Sequence, residues 1–100
     1  MSFTLAAKIW AVRGLSAPAK MVLMRMADFA DDTGNGVFAS VGRIADDCEL
    51  SDRTVQRAIA ELIELRVISL VELESPGAKR AREYRINVDA LTGDTLSGVT

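Results

Sequence analysis

The sequence predicts an α+β domain, mainly helical, with one small antiparallel β-hairpin near its end. Three observations predict it. Apolar residues recur at helical spacing as far as Leu65. A serine stands directly ahead of three of these runs. Two short β-rich runs, 68–74 and 82–88, flank the turn Ser75-Pro76-Gly77-Ala78.

One hundred residues make one domain, and 49% hydrophobic residues with a mean hydropathy of +0.17 supply a single core. Residues 3–12 read as a short amphipathic helix, with Leu5, Ile9 and Trp10 toward one side, broken by Arg13-Gly14-Leu15. Ser16 is an N-cap. Pro18 fits the first turn that follows, because its missing N–H would have no helical partner. That second helix is expected to reach Asp31, with Val22, Leu23, Met26, Ala27 and Ala30 inward and Lys20, Arg25, Asp28 and Asp32 outward. Asp31-Asp32-Thr33-Gly34-Asn35-Gly36 is a turn. Its likeness to a calcium loop ends where the final acidic ligand should stand, at Gly42 or Arg43. Val37-Phe38-Ala39 is an edge-strand candidate. Ser40 caps a helix over 41–48, and Ser51 caps another over 52–65. Domain bounds of 1–91 follow, with the small polar residues 92–100 as a flexible tail or linker to a longer protein.

Composition excludes several functions. With no histidine there is no histidine-based triad or general base, and one cysteine adds no soft-metal cluster. No glycine-rich phosphate loop is present, so no enzymatic role, cofactor, metal or small-molecule substrate is expected. No run is long enough to span a bilayer, and no secretory signal opens the chain. The single Cys48, read as a small core residue, fits a reducing cytoplasm. Trp10, Met21 and Met24 are read as packing residues, or as a homodimer interface.

Net charge is −2, but its distribution is uneven. Asp28 to Asp52 holds seven acidic residues and one basic residue, whereas Arg53 to Arg85 holds seven basic and five acidic. The helix after Ser51 divides cleanly. Val55, Ala58, Ile59, Leu62 and Ile63 form an apolar stripe, and Ala45 is the small residue where the preceding helix crosses it. The opposite face carries Arg53, Gln56 and Arg57 in its first turns and Glu61 and Glu64 in its last.

The stretch Leu50-Ser51-Asp52-Arg53-Thr54-Val55-Gln56-Arg57-Ala58-Ile59-Ala60-Glu61-Leu62 lies between Phe38-Ala39-Ser40 and Val67-Ile68. It resembles the winged helix-turn-helix domains of phage and plasmid replication proteins and of small bacterial transcription regulators. The likeness runs back through Ala19–Met24 and Ala27–Asp32 and spans about residues 5–90. It implies double-stranded DNA as partner and a role in transcription regulation or replication initiation. Arg53, Gln56 and Arg57 are then the base readers, since Arg matches the two guanine acceptors and Gln matches adenine. Ser40, Arg43, Ser51 and Thr54 would contact the backbone from the helix starts. The hairpin tip, residues 75–82 with Lys79, Arg80 and Arg82, would reach phosphate or the minor groove. For Arg43, an ion pair with Asp46 or Asp47 is the alternative. A winged helix serving only protein–protein interaction or dimerisation is the alternative for the whole chain, suggested by its acidic total. The sequence departs from the pattern twice, with Glu49 and Arg66 where glycine is usual, which places strain or altered geometry in those turns.

Overall fold

The computed structural model describes residues 3–31, 33–71 and 83–91. Its elements are α1 (Phe3–Ala11), α2 (Ala17–Phe29), β1 (Val37–Phe38), α3 (Val41–Cys48), α4 (Asp52–Glu64), β2 (Ile68–Val71) and β3 (Glu83–Ile86), followed by a 3-10 turn at Val88–Ala90. Tail residues 92–100 and hairpin-tip residues Lys79, Arg80 and Arg82 lie outside the described residues.

Each expected serine cap is made. Ser16 accepts from the Ala19 N–H, Ser40 from Arg43 and Ser51 from Thr54, each serine sitting in extended backbone before the helix begins. Helix α2 stops at Phe29, two residues short of the expectation. The Asp31 carboxylate draws the chain into a turn of its own, accepting from the backbone of Thr33 (2.9 Å) and Asn35 (3.1 Å) and from the Thr33 hydroxyl (2.6 Å). Such local side-chain bonds compete with the next helical turn.

Helix α2 forms the centre. Its Val22, Leu23, Met26 and Ala27 meet Leu5 and Ile9 of α1, Ile44 of α3 and Val55, Ala58 and Leu62 of α4 in one buried cluster. The sheet closes one end of that core. Its order is β1-β3-β2, all antiparallel, with Val37 opposite Tyr84 and Ile68 opposite Ile86. The hairpin therefore carries a third strand, the edge-strand candidate at 37–38. Val37, Tyr84, Ile68 and Ile86 are buried. Gly34 makes this junction possible: it has φ +91°, its carbonyl accepts from the Ile86 N–H at 2.7 Å, and a Cβ there would overlap the Ile86 carbonyl oxygen. Strand β3 ends earlier than 88 because the Asn87 amide turns to bind the Arg66 carbonyl (2.8 Å) and the Ser69 hydroxyl (3.0 Å).

Two residues expected in the core lie at its margin. Trp10 is 62% exposed, since Leu5, Ile9 and Val12 form the buried stripe and Trp10 is one helical step beyond it. Ile63 is 41% exposed for the same reason, beside the buried Ile59 and Leu62. Met21 is also half exposed, and Met24 is partly covered. Lys20 and Arg25, expected to point outward, are drawn in by partners. The Lys20 ammonium donates to the Val12 carbonyl (2.7 Å) and so closes the end of α1.

Candidate nucleic-acid interface

The α3–α4 pair is built around a tight turn. After Cys48 the chain passes through Glu49 at φ 57°, ψ 42°. The Leu50 N–H returns to the Ala45 carbonyl (3.0 Å) and the Glu49 N–H to Asp46 (3.3 Å), the double closure of a Schellman motif. Ala45 is buried where the helices cross, as its size requires. The end of α4 repeats the arrangement. Arg66 has φ 63°, Val67 donates to Leu62 (2.9 Å) and Arg66 to Ile63 (2.9 Å). Both positions where glycine is usual are thus left-handed, and the geometry is kept at the cost of strain.

Ser51 fixes the leading tip of α4. Its hydroxyl accepts from the Thr54 N–H and donates to the Thr54 hydroxyl at 2.9 Å. From that tip Arg53, Gln56 and Arg57 project together, all exposed. Among the described residues none of the three has a side-chain hydrogen bond or ion pair. Two other arginines are held in ion pairs, while Arg66 and Arg85 are exposed without one among the described residues. Arg25 binds Asp47 (2.7 Å) and Asp28 (3.0 Å) and lies 4.5 Å from the Phe29 ring centre. Arg43 binds Asp47 through Nε at 3.1 Å, the helical-spacing pair that was its alternative, while its guanidinium remains on the surface. The hydrogen bond from Arg25, helped by Arg43, holds the Asp47 carboxyl below its ordinary range, and the same bond raises Arg25.

Ser40 and Thr54 sit at the starts of α3 and α4, and Ser40, Ser51 and Arg43 are exposed. The hairpin strands β2 and β3 follow α4 directly, carrying Arg85 outward beside Ser69. Cys48 is half-buried, with Sγ 4.0 Å from the Met21 carbonyl, and burial pushes its thiol up. No metal-holding cluster of His, Cys, Asp and Glu occurs among the described residues, and no helix there is long and apolar enough to cross a membrane.

One participant was missed by sequence reasoning. Glu61, placed on the free acidic end of α4, instead reaches α2. Its Oε2 accepts from the Ser16 N–H at 2.9 Å and its Oε1 from the Ser16 hydroxyl at 2.7 Å. A partner 45 residues away leaves no local pattern to read.

Four packed helices, with a tight turn between α3 and α4, followed by two antiparallel strands of which the second also pairs with β1, form a winged helix-turn-helix. Comparison with curated proteins and with solved structures gave no significant match. The sequence profile described as "Helix-turn-helix domain" matches residues 13–68, which run from before α2 through α3 and α4 to the first residue of β2. By its sequence over more than half its length, and by the two capped helices at its centre, the chain belongs to the helix-turn-helix domain family, whose members' common work is binding DNA.

Proposed function

We propose that this protein binds double-stranded DNA sequence-specifically, in the service of transcription regulation or replication initiation. Helix α4 enters the major groove tip first, where Arg53, Gln56 and Arg57 read base edges. Ser40, Ser51 and Thr54, with the surface side of Arg43, meet the flanking phosphates. Lys79, Arg80 and Arg82 bring the hairpin tip to the backbone or minor groove. The observation that carries this reading is the grouping of two unpaired arginines with Gln56 at the leading end of α4. Arg25 and Arg43 share the Asp47 carboxylate, while Arg53 and Arg57 stand exposed beside Gln56 on one face, with no ion pair among the described residues.

Selection of bound fragments from a random duplex pool tests it. Arg57→Ala should lower affinity for the selected site by about 1–3 kcal/mol and relax preference at one position. Lys79→Ala with Arg80→Ala should weaken all duplexes alike and reduce the salt slope by about 0.9 for each phosphate no longer neutralised. An Arg57→Ala protein that keeps full affinity and preference would defeat the base-reading assignment.

A second reading is favoured by the apolar groove lined by Trp10, Ala17, Lys20, Met21 and Met24 on the α1–α2 side. One α4 reads only one half-site, so a second copy joined through this groove would supply the other. Without DNA binding, the same groove would make the domain an interaction module. Retention of self-association together with salt-insensitive, sequence-blind behaviour toward duplex would favour that outcome.

A further inference from the structure

Arg57 and Glu61 stand four residues apart on α4, a spacing at which helices pair opposite charges. They do not pair. Both oxygens of Glu61 are turned across a shallow cleft to Ser16, at 2.9 Å to its N–H and 2.7 Å to its hydroxyl. The cleft is lined by Ser16, Pro18, Thr54, Arg57, Ala58 and Glu61, so the Ser16–Glu61 bonds lie directly beside the exposed arginine. The Ser16 hydroxyl works in two directions, accepting from the Ala19 N–H at 3.2 Å while donating to Glu61. Its N–H precedes the helix and has no intrahelical acceptor. One carboxylate thereby joins the start of α2 to the third turn of α4, through charge-assisted bonds at two points.

We propose that Glu61 is a positioning residue for duplex recognition. Held by Ser16, it fixes the roll of α4 on α2, and its carboxylate forms no ion pair with Arg57. A base-reading side chain must be held to within about 10–20° of its productive direction, and a two-point hold opposes rotation about the helix axis as apolar packing alone does not. The inference rests on the DNA-binding reading above and assigns a residue to it.

The sign of one substitution separates this role from that of a solvated acid. Removing a free carboxylate near DNA strengthens binding to every duplex and leaves preference untouched. Removing a positioning carboxylate lowers preference. The experiment measures affinity for a duplex selected from a random pool and for a scrambled duplex, at one salt concentration and at a temperature where every variant is folded by circular dichroism. Glu61→Ala should cut the ratio of the two affinities by about fivefold or more, the lower bound for disrupting one bidentate base pairing. Glu61→Gln, which keeps an acceptor for Ser16, should recover most of the ratio. Ser16→Ala should lower it, and the double variant should be no worse than the worse single one, as coupled groups require. A Glu61→Ala ratio equal to or above wild type overturns the assignment, as does strict additivity with Ser16→Ala. Wild-type protein that shows no salt-dependent preference for any duplex overturns the DNA reading itself and this role with it. In that case the Ser16–Glu61 coupling would still be measurable in the melting temperatures.

Discussion

Glu49 and Arg66 should each be improved by glycine, against the usual effect of that residue. Both stand in left-handed backbone at φ 57° and 63°. That conformation brings the Cβ of an L-residue against the following carbonyl, at about 1–2 kcal/mol. Glycine removes the clash but gives the unfolded chain freedom worth about 0.4–1 kcal/mol. The mid-range difference is a gain of about 0.8 kcal/mol at each turn, or roughly 3–6 °C in melting temperature for a domain of this size. The two turns are separated by the thirteen residues of α4, about 20 Å, so the gains should add. Neither turn would lose a bond, because the Schellman closures use only backbone atoms. Differential scanning calorimetry of Glu49→Gly, Arg66→Gly and the pair measures the effect. Glu49→Ala is the control and should gain nothing, since alanine keeps the Cβ. Ala60→Gly, on the exposed face inside α4, should instead lose about 1 kcal/mol. If both glycine variants melt at or below wild type, the strain argument is wrong.

Two further outcomes follow from the ionisable groups. Asp47 is held below its ordinary range first by the Arg25 hydrogen bond, so its contribution to stability is complete above the unfolded value near pH 3.9 and disappears as pH falls through the lower folded value. Asp47→Asn should therefore flatten the melting-temperature profile below about pH 4, and parallel profiles for the two proteins would remove Asp47 from the account. Cys48 has its thiol raised by burial, so at pH 8 it should alkylate several-fold more slowly than free cysteine and recover the free rate in guanidinium. Fast labelling of the native protein would contradict the packing described for it.

Local chemistry was legible in the sequence and long-range chemistry was not. Ser16, Ser40 and Ser51 announce their helices because a cap acts within three residues. Glu49 and Arg66 were readable as departures from glycine because the turns around them require one backbone conformation. The helical period placed Leu5, Ile9, Val22 and Leu62 correctly, but it blurs at the edge of a stripe, where Trp10 and Ile63 fell on the open side. Arg53, Gln56 and Arg57 could be put on one face from spacing alone. That Arg57 is left unpaired by Glu61, four residues on, depends on where Glu61 turns, and that choice is made by Ser16 on another segment. The partner of β1 was likewise hidden, because Val37 meets Tyr84 only after the whole helical segment has been folded back.

The strand order has a consequence for how the domain is completed. The middle strand is the last to leave the ribosome, and its neighbours on either side bond to it and not to each other. A nascent chain that has emerged only as far as Val71 can pack its helices, yet it has nothing to bridge Val37 and Ile68. Arrival of Tyr84 and Ile86 covers both edges in one step. Truncation just ahead of Glu83 would accordingly leave a helical body with two unsatisfied strand segments, a shape prone to pairing with its own kind.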